Sequence, residues 1–354
     1  MNNGKINFNA GPAALPPEVI LEVSEAVKEY NNTGMSILEL PHRSKEFLDI
    51  VEESKALVKE LCGIGNDYEV LWMQGGARLQ FCMIPMNFLW EGKTAGYAKS
   101  GHWADEAIEY ACNYGTIEVI ANSEYTRHDR LPPWPTMRGD NLKYVHYTTN
   151  NTVYGTQYKA PPTYNLPLIA DMSSDILSME RDYTKYALFY AAAQKNLGTP
   201  GNALVVIHKD FMKTENGWTP PLLSYKAQVK ENSILSTANV SGVYTSLLML
   251  RWIKARGMRQ IEQDNKHKAQ LLYNAIDNND IFLPYVKVKE DRSIMNVCFT
   301  MPDKEKEQAF LAQCAANNII GINGHRRVGG FRISLYNAIP ISDVETLVEV
   351  MKSI

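Results

Sequence analysis

Between positions 68 and 207 the chain swings repeatedly between two apolar rhythms. Short runs rich in Val, Ile, Tyr and Ala, punctuated by Gly, Pro or Asn, predict strands at Tyr68–Met73, Thr94–Ala98, Thr116–Ala121, Lys143–Thr148, Pro167–Ala170, Tyr186–Tyr190 and Ala203–Ile207. Apolar residues at helical spacing predict helices at Arg78–Leu89 and Ala104–Asn113. The stretch 122–142, with Pro132-Pro133-Trp134-Pro135, reads as loop. Such alternation predicts an α/β layered domain on a mostly parallel, seven-stranded sheet.

The flanks follow other patterns. Residues 1–16 are irregular, and a helix starting near Pro17 is expected to turn Leu21, Val23, Val27 and Tyr30 inward before Asn31-Asn32-Thr33-Gly34 stops it. Ser44 is placed to cap a second helix carrying Phe47, Ile50, Val51, Leu57, Val58 and Leu61. Long helices are predicted at Ser241–Gly257 and Met258–Asn278. Beyond them come strands near 285–289 and 294–300, a helix at 303–317, a strand at 331–335 and a terminal helix. This divides the chain into an N-terminal arm (1–16), a large domain (17–255) and a smaller α+β domain (256–354).

Composition narrows the function classes. A net charge of −3 gives no basis for nucleic acid or an anionic membrane as partner, and no apolar run approaches the roughly 20 residues of a membrane span. Five scattered cysteines without a Cys-x-x-Cys pair suggest reduced thiols rather than a disulfide framework or a metal site. With no apolar signal-peptide core near the start, the expected location is the cytoplasm.

The candidate chemistry gathers at strand ends, where open α/β sheets hold ligands. Lys195 follows the small-residue run Ala191-Ala192-Ala193 and precedes Gly198-Thr199-Pro200-Gly201. Set between two buried strands, its amine would be desolvated, neutral and suited to form a Schiff base with an aldehyde. On its own it could equally be a lysine on a surface loop. Asp171 closes Pro-Leu-Ile-Ala-Asp, where a buried acid needs a cation or donor as partner. Aspartate on a ring nitrogen plus a downstream lysine is the pattern of pyridoxal phosphate enzymes; a helix cap or ion pair is the alternative for Asp171. Gln74-Gly75-Gly76-Ala77-Arg78 could offer backbone N–H groups to a phosphate or be a plain strand–helix turn. Trp103 could stack on a cofactor ring or fill the core, and Thr152 sits past another strand end. His42-Arg43, His325-Arg326-Arg327 and Arg332 form a third group, suited together to a substrate with several negative charges and singly no more than surface cations.

Together these residues resemble the phosphoserine aminotransferase family, class V aminotransferases of pyridoxal phosphate fold type I. The likeness runs over nearly the whole chain. It is carried by Phe8-Asn9-Ala10-Gly11-Pro12-Ala13, His42-Arg43, Gln74 to Phe81, Gly101-His102-Trp103, Asn151 to Thr156, Asp171 to Ser178, Ala193-Gln194-Lys195-Asn196, Gly324 to Arg332 and Tyr336-Asn337-Ala338. The resemblance implies pyridoxal 5′-phosphate as cofactor and no metal. Lys195 looks like the Schiff-base lysine and proton shuttle, Asp171 like the partner of the ring nitrogen and Trp103 like the residue stacked on the ring. Thr152 looks like a hydrogen-bonding neighbour of the ring, and Ala77, Arg78 and Gln194 like binders of the phosphate. In the family a neighbouring subunit completes that phosphate site from Asn-Thr-Pro-Pro-Thr. Here the matching stretch is Ser236-Thr237-Ala238-Asn239-Val240, so the contact falls to Ser236 and Thr237 and both prolines are gone. Arg332 looks like the clamp for the α-carboxylate. His42, Arg43, His325 and Arg326 look like the group for a distal phosphate or carboxylate, with His42 and Arg43 reaching across a homodimer.

The expected activity is amino transfer between L-glutamate and 3-phosphohydroxypyruvate, giving O-phospho-L-serine and 2-oxoglutarate in serine biosynthesis. The resemblance also admits 4-phosphohydroxy-L-threonine of pyridoxine biosynthesis. Two other classes are weighed against it. One is a different fold-type-I reaction, on another oxo acid or as a cysteine desulfuration, and the other is a binding protein that kept the fold without the chemistry.

Overall fold

In the computed structural model, which describes residues 4–136 and 141–354, the first three residues of the arm and positions 137–140 of the predicted 122–142 loop lie outside the described residues. A short strand β1 (Ile6–Asn7) and the helices α1 (Pro17–Lys28) and α2 (Lys45–Cys62) precede the large sheet. Next come β2 (Tyr68–Gln74), α3 (Ala77–Phe88), β3 (Thr94–Lys99), α4 (His102–Ala111) and β4 (Thr116–Asn122). They are followed by β5 (Leu142–Thr148), β6 (Leu168–Asp171), β7 (Leu188–Ala192) and β8 (Asn202–His208). The seven strands lie in the order β2-β8-β7-β6-β5-β3-β4. All neighbours are parallel except at β8, which runs antiparallel to both β2 and β7.

That exception follows from the sequence. A parallel return needs a crossover of a dozen or more residues. The Gly/Pro-rich connection at 193–201 is too short, so β8 comes straight back beside β7. The connection holds Lys195 at the sheet edge where β3, β5, β6 and β7 all end. The strand predicted at Tyr186–Tyr190 in fact starts two residues later, because the turn at Tyr183–Lys185 carries through to Tyr186.

Short helices α5 (Lys209–Met212) and α6 (Tyr225–Lys230) lead into α7 (Val240–Arg256) and α8 (Met258–Asp277). A second layer follows: β9 (Leu283–Pro284), β10 (Asn296–Thr300), α9 (Lys304–Ala316), β11 (Ile319–Ile320), β12 (Phe331–Ser334) and α10 (Ile341–Lys352). Its three-stranded antiparallel sheet runs β12-β10-β9 over a core of its own that includes Phe282, Phe299, Phe310 and Phe331. Burying each such ring contributes roughly 1.5–3 kcal/mol. The arm joins this second core. Phe8 is buried in it, and β1 pairs in parallel with β11.

Two expectations are corrected. The strand near 285–289 shrinks to Leu283–Pro284, because Lys287 donates its N–H to Asp129 O at 3.0 Å and a tight turn at Lys289–Asp291 follows. On α1 the inward stripe is Val19 and Ala26, whereas Leu21 is 62% and Val27 40% exposed. Val19, Val23, Ala26 and Tyr30 recur at helical spacing, so the rest of the apolar residues fall on the other face. Tyr30 is buried past the helix end, edge-on to Tyr244. Ser44 caps α2 by accepting from Phe47 N–H.

Candidate active site

Asp171 is the last residue of β6, in register with Thr148 on one side and Tyr190 on the other. It is buried, and its Oδ1 accepts the N–H of Ser173 at 2.9 Å. Among the described residues its second carboxylate oxygen has no hydrogen-bond donor. Burial pushes the Asp171 pKa up, opposed by the Ser173 hydrogen bonds and the charge of Lys195. The next loop is fixed through Ser173, whose hydroxyl accepts Ala192 N–H at 3.1 Å, and through a buried ion pair of Arg181 with Asp175 at 2.9 Å.

Lys195 reaches toward the same edge. Its Nζ donates to Thr152 Oγ1 at 3.1 Å, and burial lowers its pKa to about 8; the charge of Asp171 works against that fall and the charge of Arg332 with it. The residue as a whole is only half-buried, because its end faces a cavity. Thr152 also accepts, through its carbonyl and at the long distance of 3.5 Å, from Arg332 Nη1. One threonine therefore touches both cations.

The cavity measures about 280 Å³, and its walls include Gly76, Ala77, Arg78, Trp103, Thr152, Asp171, Gln194 and Lys195. Trp103 is presented by the start of α4. Gly101, at φ +151°, precedes that helix, and a Cβ there would lie 1.8 Å from the Asn151 amide nitrogen. Only glycine permits that approach. The Arg78 guanidinium lies 5.5 Å from the Trp103 ring centre and pairs with Glu106 at 2.9 Å. His102 is 3.4 Å from the same glutamate, and its ring lies 5.2 Å from that of His325. Burial lowers the pKa of both histidines. Neighbouring cations reinforce the shift, while Glu106 opposes it at His102.

These residues fit pyridoxal phosphate on the structure's own terms. Helix α3 starts at Gly76 with no side chain capping it, which leaves first-turn amides for a phosphate. An indole forms one wall, Asp171 brings a buried carboxylate able to accept a ring N–H, and Lys195 offers an amine that is partly neutral near pH 8. The Thr148 hydroxyl, also in the wall, is buried without a partner.

Other expected site residues lie apart. His42 and Thr237 line a separate groove with Leu38, Asn239 and Ser241, and it shares no wall residue with the Lys195 cavity. Arg43 and Arg326 are exposed. Ser236 accepts from Gln74 Nε2 at 3.0 Å, which ties its loop to the turn before α3, and Asn239 caps α7 by accepting Gly242 N–H. Thr148, Asn150, Ser173, Ser174 and Phe81 also line the cavity, although the sequence gives none of them a role of its own. Ser173 had a signal, since a serine two residues past a strand-end acid can turn its N–H back on it.

Residues 6–347 match the family model "Aminotransferase class-V". The phosphoserine aminotransferase of Herpetosiphon aurantiacus is 44% identical, covering 98% of this chain and 97% of its own length. The structure of phosphoserine aminotransferase from Bacillus circulans subsp. alkalophilus superposes with a TM-score of 0.94 at 41% identity, covering 99% of this chain and 98% of that one. The pyridoxal-phosphate-bound enzyme of Trichomonas vaginalis gives 0.92 at 32% identity, covering 98% and 99%. A chain matched end to end in sequence and fold, with a lysine and an aspartate facing one cavity at the sheet edge, belongs to the class V aminotransferases and, within them, to the phosphoserine aminotransferases.

Proposed function

We propose that the protein transfers the amino group of L-glutamate to 3-phosphohydroxypyruvate, yielding 2-oxoglutarate and O-phospho-L-serine. The observation that carries this reading is the convergence of Lys195, Asp171 and the uncapped start of α3 on one cavity, with Arg332 joined to it through Thr152. Pyridoxal phosphate, when bound, supplies an aldehyde that takes the amino group and a ring that draws electrons from the substrate's Cα–H bond. Ala77, Arg78 and Gln194 would hold its phosphate, with Ser236 and Thr237 supplied by a second copy. Trp103 would hold its ring face, with Thr152 beside it.

The chain's own groups do the rest. Asp171 would hold a proton on the ring nitrogen. Arg332 grips the α-carboxylate of the substrate in a two-pronged contact. Lys195 Nζ would take the proton from Cα of glutamate and hand it to C4′ of the cofactor, and in the second half would carry a proton the opposite way, to Cα of the new amino acid, a task suited to an amine whose pKa lies near the working pH. His325 and Arg326 of one chain, with His42 and Arg43 of another, would take the distal phosphate or γ-carboxylate. No cysteine lines the cavity, which favours amino transfer over desulfuration.

Residues 17–255 are read as the cofactor-binding unit and 256–354 as the smaller unit that carries Arg332. The protein is read as a homodimer, because exposed Ile20, Leu21, Val27, Met35 and Leu38 would be covered by a second copy that also brings in His42. A cytoplasmic location agrees with the five free cysteines. A coupled assay with glutamate should give turnover on 3-phosphohydroxypyruvate at least about 100-fold above that on hydroxypyruvate, since charged contacts of roughly 1.5–3 kcal/mol each are lost with the phosphate. Equal rates on the two acids would overturn the substrate assignment.

A further inference from the structure

Beyond the cavity, one polar junction joins the three segments that carry the reacting groups. Five residues past Arg332, Asn337 donates its backbone N–H to Asn196 Oδ1 at 3.1 Å, and Asn196 is the residue after Lys195. The Asn337 side chain donates from Nδ2 to Leu177 O at 2.8 Å, within the segment that begins at Asp171. Its Oδ1 accepts from Asn265 Nδ2 of α8 at 2.8 Å, and that same nitrogen donates to Ser178 O at 2.9 Å. Asn196 Nδ2 closes the circuit on Ile176 O at 3.0 Å. All three asparagines are buried.

The turn around Asn337 is held from behind as well. Lys268 of α8, fully buried, donates to Leu335 O at 3.2 Å, Tyr336 O at 2.9 Å and Ile339 O at 3.0 Å. Leu177 sits at φ +51°, a left-handed conformation uncommon for leucine, and its carbonyl is the one Asn337 takes. A hydrogen-bonded ring that closes across two layers of the molecule leaves the turn little freedom to slide.

We infer that Asn337 is a positioning residue that sets where Arg332 stands relative to Lys195 and Asp171, by locking the turn after β12 to the residue beside the lysine and to the segment beyond the aspartate. The inference rests on the reading of Arg332 as the carboxylate clamp. It differs from that reading in naming a group that touches neither substrate nor cofactor. A misplacement of up to about 1 Å at a group that holds substrate alike in ground and transition states lowers kcat/KM by as much as about 100-fold, chiefly through KM, so a fixed register here has a functional consequence.

The test compares Asn337→Ala, Asn265→Ala and Arg332→Ala in the holoenzyme. Asn337→Ala is expected to raise KM for glutamate about tenfold while kcat stays within about threefold, because a clamp shifted alike in ground and transition states is lost mainly from binding. Borohydride should still attach the cofactor to the peptide containing position 195 in wild-type amount. Amide exchange of residues 331–339, measured without substrate, should quicken at least about tenfold while the large sheet keeps its protection. Wild-type KM together with wild-type exchange would overturn the inference, and so would a fall in kcat and cofactor content with KM unchanged. If Asn337→Ala does not fold, Asn265→Ala decides by the same two readouts, since it removes the donor to Asn337 Oδ1. Arg332→Ala separates the two claims. A wild-type KM in that variant sinks the clamp itself, whereas a raised KM there with a normal one in Asn337→Ala sinks only the positioning role.

Discussion

The Lys195 cavity and the His42 groove belong to one chain but differ in how finished they are. Asp171 is held at a strand end and by Ser173 N–H, and Lys195 by the connection between β7 and β8 and by its hydrogen bond to Thr152. The groove holding His42 and Thr237 is lined in part by Leu38, which is 65% exposed, and its neighbour Arg43 is exposed as well. A bare cation attracts an anion only weakly in water, whereas one desolvated by a partner surface attracts it far more strongly. On the proposed reading, the difference teaches that the chain gathers its proton chemistry within itself and would leave part of its anion recognition to a second copy.

The harshest test of the finished half is Lys195→Ala, which should lower kcat by about 10³-fold or more, as loss of a general base does. The unfinished half is tested on that background. Mixing Lys195→Ala chains with Arg43→Ala chains should restore about a quarter of wild-type activity, because half of randomly formed dimers then hold one intact site. Recovery of none would place Arg43 in the same site as its own chain's Lys195.

Asp171→Asn should cost about 100-fold in kcat by removing the charge that keeps the ring nitrogen protonated. It should also move a pH profile. In the wild type, capture of pyridoxal phosphate by the apoprotein should rise about tenfold per pH unit below 8 and level off above, following deprotonation of Lys195. Asp171 holds the lysine's proton on, so its removal should shift that levelling to lower pH. A shift upward would contradict the sign of the interaction.

Smaller effects sharpen the boundary. Arg332→Ala should raise KM for glutamate roughly 10- to 100-fold, the measure of a charge-assisted contact of about 1.5–3 kcal/mol. Thr152→Val deletes only the hydroxyl that meets Lys195 and should cost about fivefold in steady-state rate, roughly 1 kcal/mol.

Much of the cavity was legible because its residues sit where apolar runs stop. Asp171 closes one apolar run and Lys195 follows another, each with a bland alternative until the other is set beside it, and turn-forming glycines mark the loops before Arg78 and Trp103. The face of α1 was misjudged for a physical reason. Leu21 and Val27 have the composition of a core, and periodicity cannot say whether an apolar face meets its own chain or another. Strands of two residues, β1 and β11, are too short to show any alternation. The junction at Asn337 was hidden because most of its acceptors are backbone carbonyls, which every residue carries alike.

The arm described with the second core bears on synthesis. Ile6 finds its strand partner at Ile319, while Ala13 donates its N–H to Gln194 O beside Lys195. The segment at Ile6 thus waits for the more than 300 residues up to Ile319 before it can dock. Closing so long a loop late in assembly is entropically costly and slow. Maturation of the lysine's surroundings is thereby tied to synthesis of the β11 segment, so a nascent chain that stops short of it would present its amine half-dressed.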